Sequence, residues 1–119
     1  MSIKATTLNN LEIAVLEPRG SIIGGDETDE LKARAKDFLD QGNRKLLLDL
    51  SGVTYLNSSG IGALVSIHSA YIKENGRIKV SGLDKGVKNV FVITSLTRVI
   101  DVEETRDEAI KNFEAESQS

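Results

Sequence analysis

Residues 49–64, Asp49-Leu50-Ser51-Gly52-Val53-Thr54-Tyr55-Leu56-Asn57-Ser58-Ser59-Gly60-Ile61-Gly62-Ala63-Leu64, carry more information than the rest of the chain. An apolar run, Leu46-Leu47-Leu48, leads into them, a turn-rich segment follows, and two serines then stand directly ahead of an amphipathic helix. A helix start exposes unpaired backbone N–H groups and partial positive charge. Hydroxyls at that point suit a phosphate, whether bound or covalently attached. From chemistry alone the default role of such residues is plain capping, in which Ser58 accepts a hydrogen bond from a first-turn N–H. Gly60 and Gly62 add a second signal. Glycine inside a helix costs about 0.5–1 kcal/mol relative to alanine, so two in one turn imply that something approaches closely. A phosphoryl group on Ser58 would bring about −1.5 to −2 charges to the positive end of the helix and could alter a contact surface without unfolding anything.

Outward from this stretch the chain alternates strands and helices. A first strand is expected over Ile3 to Leu8, with a tight turn at Asn9-Asn10. A second runs from Leu11 to Leu16, with Leu11, Ile13 and Val15 on one face, and Pro18 closes it. Gly20-Ser21-Ile22-Ile23-Gly24-Gly25 reads as a loop whose glycines permit unusual backbone angles. The first helix begins near Asp26, has an acidic first turn, buries Leu31, Ala35, Phe38 and Leu39, pairs Glu30 with Arg34, and ends at Gly42. The third strand, Lys45 to Leu50, is apolar enough to be covered on both faces. The second helix spans Ser58 to Glu74 with an expected stripe of Ile61, Leu64, Val65, His68 and Ile72. The fourth strand is Arg77 to Ser81. Asp84 caps a third helix that buries Val87, Val90 and Phe91. The fifth strand lies near Val99 to Val102. Thr105 and Glu108 form a capping box for a fourth helix that buries Ala109, Ile110 and Phe113, and residues 115–119 are expected to fray. The implied fold is α/β: an opening hairpin, a mixed sheet of about five strands, parallel pairs made by helical crossovers, and about four helices, all in one domain over residues 1–119.

Composition narrows the chemistry. The chain has 119 residues, 39% hydrophobic and 28% charged, a net charge of −3, one histidine and no cysteine. Disulfides, thiolate nucleophiles and thiolate metal sites are excluded, and no metal site is expected. No apolar stretch approaches the ~18 residues of a membrane span, and Met1 to Asn10 lacks the apolar core of a signal peptide, so a cytoplasmic chain is expected. Basic residues are scattered among acidic ones without an aromatic-laced stripe, which argues against nucleic acid. Ser58 and His68 are the only serine–histidine pair worth testing as a dyad. Ten helical residues separate them by ~15 Å, too far for catalysis, and His68 reads as a packed structural residue. The glycine loops match no nucleotide-binding fingerprint. A phospho-aspartate receiver would need acidic residues after its early strands, where Pro18-Arg19-Gly20 and Ser51-Gly52 stand instead. No catalytic constellation and no cofactor site is found.

The run D-L-S-x-V-x-Y-L-N-S-S-G-I-G-A-L resembles the signature of the STAS domain, the sulfate-transporter and anti-sigma-factor-antagonist domain. Within that family the chain is most similar to small single-domain bacterial anti-sigma-factor antagonists, over essentially its whole length. The resemblance implies a binding protein rather than an enzyme. Its unphosphorylated form would sequester an anti-sigma factor that is also a serine kinase of the histidine-kinase ATPase fold, and so regulate sigma-factor-dependent transcription. The kinase would inactivate it by phosphorylating Ser58, a PP2C-type phosphatase would restore it, and the chain would be a monomer or weak dimer. The implied partner surface comprises Ser21, Ile22, Ile23, Gly24, Gly25, Asn57, Ser58, Ser59, Gly60 and Ile61. Two departures stand out. Asn57 occupies a position that is often Asp, and Gly20-Ser21-Ile22-Ile23 replaces a G-E-hydrophobic-D pattern, losing both acids. The alternative implied by the altered loop is a non-switching STAS adaptor subunit in a transport or stress-signalling complex.

Overall fold

Leu46, Leu47 and Leu48 sit at the centre of a sheet whose two faces are both covered, and none of the three has any solvent exposure. The computed structural model describes residues 2–8 and 12–117. Its elements run β1 (Ser2–Leu8), β2 (Ile13–Ile22), α1 (Gly25–Asp40), β3 (Lys45–Asp49), β4 (Val53–Leu56), α2 (Ser58–Lys73), β5 (Arg77–Ser81), α3 (Lys85–Ile93), a 3-10 turn (Leu96–Arg98), β6 (Asp101–Glu103) and α4 (Arg106–Ser117). The sheet order is β1-β2-β3-β5-β6, with β4 paired to β2. Among the described residues only β1–β2 is antiparallel; every other pair is parallel. The fold is thus α/β, a six-stranded mixed sheet with four helices.

Alternation along the strands divides the core. Ala14, Leu16, Leu46, Leu48, Ile78 and Val80 pack with α1, α2 and α3 in the main cluster. Ile13, Val15 and Leu47 face the other way and meet Ala109 and Phe113 of α4. Tyr71 of α2 is fully buried and its hydroxyl donates to the Ala35 carbonyl of α1 at 3.1 Å, joining the two helices.

Several expectations need correction. The second strand does not stop at Pro18; β2 continues to Ile22. Residues 14–16 of β2 pair with β3 and residues 20–22 pair with β4. Pro18 falls between these two partners, where its missing N–H breaks no rung on that side. Ser21 and Ile22 are therefore strand residues. The turn-rich segment ahead of the serines contains β4, a strand of four residues too short to show periodicity. The second helix buries Gly60, Ala63, Leu64, Ile67 and Tyr71. Ile61 and Val65 only flank the core, and Ile72 is 46% exposed. Apolar residues surround most of α2, so spacing alone did not set its rotation. The last strand is Asp101–Glu103, because the residues before it form the 3-10 turn. Helix α4 includes residues 115–117. Leu11 and the Asn9-Asn10 turn, with Gln118 and Ser119, lie outside the described residues.

Lys79 explains the extension of α4. It lies on the α4 face of β5, its side chain is only 3% exposed, and its Nζ reaches Asp101 at 3.3 Å, Glu116 at 3.1 Å and Glu103 at 3.8 Å. The ammonium also stands 5.1 Å from the centre of the Phe113 ring. Burial works against the charge, but hydrogen bonds to Glu116 and Asp101 and the charges of those two carboxylates outweigh it and hold the Lys79 pKa above the ordinary lysine value. Burial also pushes the Tyr71 hydroxyl upward, so it stays neutral in the fold.

Both groups have raised folded-state values, so their contributions are complete below the unfolded values of 10.0 and 10.5 and are lost as pH rises through the folded ones. Urea unfolding should show stability declining above about pH 10. Tyr71→Phe should cost about 1 kcal/mol at neutral pH and flatten that alkaline decline; an unchanged slope would assign it to other groups.

Candidate functional site

Asn57 organises the start of α2. It is extended, with φ −107°, and its Oδ1 accepts from the Gly60 N–H at 2.9 Å while its carbonyl accepts from Ile61 N–H at 2.9 Å. The cap is thus Asn57, and Ser58 is not required for it. The other end of the same amide, Nδ2, donates to the Ile23 carbonyl at 3.1 Å, and the Asn57 backbone N–H donates to the Ile22 carbonyl at 3.4 Å. One side chain therefore caps the helix and holds the residue that follows β2.

Gly60 makes this arrangement possible. A Cβ built there would lie 2.0 Å from the Ile22 carbonyl oxygen and 2.7 Å from Leu56 Cδ1. The close approach expected from the paired glycines is thus the chain's own backbone. At Gly62 a Cβ would meet nothing within 4 Å, so that glycine faces open space. Gly24 and Gly25 have φ of 96° and 81°, the left-handed region. Gly24 donates its N–H to Thr28 Oγ1 at 2.9 Å, and a Cβ on it would come within 3.1 Å of Ser59 Cβ. The segment after β2 is held by α1 on one side and by Asn57 on the other.

The expected surface residues divide accordingly. Ser58 and Ser59 are exposed in the first turn of α2. Ser21, Gly24, Asn57 and Ile61 are half-buried, and Gly25 is exposed. Ile23 is 50% exposed. Ile22 and Gly60 are buried: Ile22 points into the main core and Gly60 lies under its carbonyl, so both shape this surface from beneath. Sequence reasoning missed Tyr55. It is 57% exposed and pairs with Ser21 in the β2–β4 register, which sets it beside the loop. The unrecognised strand β4 hid that neighbour. No acidic residue occurs in the first turn of α2, so no carboxylate there offsets the positive helix end. His68 is half-buried, with Nδ1 enclosed.

The signature's first residue has a different task. Asp49 Oδ1 accepts from the Ser51 N–H at 3.0 Å, bracing the turn before β4. Its Oδ2 accepts from Arg106 Nε at 3.1 Å, and Arg106 also pairs with Glu17. Asp49 thereby joins the candidate site's strand to the first residue of α4.

A STAS domain family model matches residues 3–109, and the chain belongs to the STAS domain family. BtrV of Bordetella bronchiseptica, named a candidate anti-sigma factor antagonist, is 22% identical over 113 residues covering 95% of each chain. A crystal structure of a candidate anti-sigma factor antagonist from Thermotoga maritima superposes with a TM-score of 0.84 at 22% identity, covering 92% of each chain. The anti-sigma factor antagonist SpoIIAA in its unphosphorylated form gives a TM-score of 0.81 at 16% identity over 96% of this chain and 97% of that one. The Bacillus SpoIIAA in its phosphorylated form gives 0.73 at 17% identity, over 94% and 99%. At these identities the superpositions establish a shared fold. Among the described residues, no helix is long and apolar enough to cross a membrane.

Gly60→Ala should destabilise the protein by about 1–3 kcal/mol or more, since the methyl group meets fixed backbone. Gly62→Ala should instead stabilise it by about 0.5–1 kcal/mol through helix propensity. Paired urea titrations would check the opposite signs; similar effects of the two would remove the Ile22–Gly60 contact from its central place.

Proposed function

We propose that this STAS protein is an anti-sigma-factor antagonist, a cytoplasmic binding module of one domain that acts without catalysis and is controlled by phosphorylation of Ser58. The observation that carries the reading is the division of labour at the start of α2. Asn57 performs the capping, which leaves the Ser58 hydroxyl exposed at the positive helix end. A phosphoryl group there adds about −1.5 to −2 charges where the helix tolerates them. The fold need not open to receive it. Its charge and bulk would instead stand in the middle of the surface formed by Ser21, Ile23, Gly24, Gly25, Asn57, Ser59 and Ile61. In this reading the unphosphorylated surface binds an anti-sigma factor that is also a serine kinase of the histidine-kinase ATPase fold, and a PP2C-type phosphatase resets it. Membership of the STAS family, relatives of near-equal length named as anti-sigma factor antagonists, and the existence of phosphorylated and unphosphorylated forms of SpoIIAA support it.

A second reading is favoured by Ile23. Where an acid would be expected it presents a half-exposed apolar side chain, and Tyr55, opposite Ser21 on β4, is exposed as well. Such a surface also suits a non-switching adaptor that docks permanently in a transport or stress-signalling complex.

Phosphopeptide mapping after incubation with the anti-sigma-factor kinase of the same cell separates the two. Phosphate on Ser58 is expected, and its absence from Ser58 would favour the adaptor. Ser58→Asp should weaken kinase binding by about tenfold or more. Ser58→Ala should retain binding that ATP no longer abolishes, with stability changed by less than about 0.5 kcal/mol.

A further inference from the structure

Gly62 has no packing reason within the chain. It lies inside α2, where glycine lowers helix stability, and a Cβ on it would meet nothing within 4 Å among the described residues. It follows Ser58 by four residues and Ser59 by three, so it shares their exposed face. Bare backbone on a solvent-facing helix turn admits a close neighbour. At Gly60 the chain supplies that neighbour itself, through the Ile22 carbonyl; at Gly62 it supplies none.

Fixed charge is missing from the same region. No Asp, Glu, Lys or Arg occurs from Gly20 to Gly25 or from Leu50 to Ile72, although 28% of the chain is charged. Burial does not account for this, because Thr54, Tyr55, Ser58, Ser59 and Gly62 are exposed. A free surface gains solubility from charge, whereas the centre of a protein interface is depleted in charge and enriched in aromatic residues. Ile23 and Tyr55 are the large apolar side chains of this surface, 50% and 57% exposed. The Ile23 backbone is held on both sides. Its carbonyl accepts from Asn57 Nδ2 at 3.1 Å, and the following N–H, of Gly24, donates to Thr28 Oγ1 at 2.9 Å. A side chain on backbone fixed before binding loses little freedom when it docks. The nearest acids in sequence, Asp26 and Glu27, stand in the first turn of α1, where they complement that helix's own positive end.

We propose that Ile23, Tyr55 and Gly62 determine recognition at the Ser58 surface: the two side chains enter an uncharged, apolar depression of the anti-sigma-factor kinase, whose chain lies close against Gly62. This deepens the phosphorylation reading and rests on it for the identity of the partner. Association at such a surface is not steered by charge. A phosphate on Ser58 excludes the partner because it would carry an unpaired charge into a contact that sheds water.

Calorimetric titration of the full chain with the kinase of the same cell tests the surface. The affinity should change less than about threefold between about 50 and 500 mM NaCl. It should fall about tenfold or more for Ile23→Ala and for Tyr55→Ala, and stay within about threefold for Asp26→Asn combined with Glu27→Gln. Gly62→Ala gives a result that damage to the fold cannot imitate: the urea midpoint should rise while the affinity falls about tenfold. Affinity indifferent to Gly62→Ala, a steep salt dependence, or loss of binding in the Asp26 and Glu27 double variant would each overturn the proposal. So would self-association that Ile23→Ala abolishes, which would assign the surface to a second copy of the chain. Ser58→Asp separates the anchors from the switch. Binding that needs Ile23 and Gly62 but ignores Ser58→Asp would remove the switch and keep the anchors. Binding that Ser58→Asp abolishes but Ile23→Ala and Gly62→Ala leave intact would remove the anchors and keep the switch. No binding by the unmodified chain would overturn both.

Discussion

The contact between the Ile22 carbonyl and Gly60 is the constraint on which the candidate site depends. The end of β2 meets the first turn of α2 so closely that a single methyl group would sit 2.0 Å from the oxygen. That approach sets where α2 begins, brings Asn57 within reach of Ile23, and places Gly24 against Ser59. The exposed serines, the glycine segment and the rim residues Ile23 and Tyr55 form one surface because these contacts join the backbone beneath them.

The opposite face is organised differently. Its apolar cluster is small: Ile13, Val15, Leu47, Ala109 and Phe113. Two cations supplement it at the two ends of α4. Arg106 joins Asp49 and Glu17 at the start, and Lys79 gathers Asp101, Glu103 and Glu116 near the end. Exposed ion pairs contribute little, but Lys79 is enclosed and its pairs also orient the helix. Asp49 links this face to the other, since one carboxylate braces the turn before β4 and holds the first residue of α4. A residue that looks like part of a functional signature is in this protein a structural joint.

In the proposed switch, rigidity is an advantage. Because Asn57 satisfies the Gly60 N–H, the Ser58 hydroxyl is not needed for stability and can be modified without loosening the helix. Asn57 is uncharged, so a phosphate on Ser58 would meet no carboxylate at the cap. Partner binding would change through charge at the surface alone, which fits a core that has no need to move.

Much of this was legible in the residues themselves. The apolar run at Leu46 to Leu48 marked the covered central strand, Asp84 and Thr105 marked helix starts that their side chains do cap, and the β5 limits follow from Ile78 and Val80 between turn residues. The asparagine, serines and glycines of residues 57–60 located the candidate site, because capping and phosphate chemistry are local properties of a helix end. What lies far apart in the chain was decided only by tertiary structure. Pro18 lies inside a strand because β2 changes partner there, and Val53–Leu56 becomes a strand because β2 offers it an edge. Lys79 is buried because three carboxylates from other elements converge on it, and Gly60, unlike Gly62, is demanded by a carbonyl 38 residues away in sequence. Periodicity and capping report on neighbours within a turn or two, whereas these features depend on which distant backbone arrives at each residue.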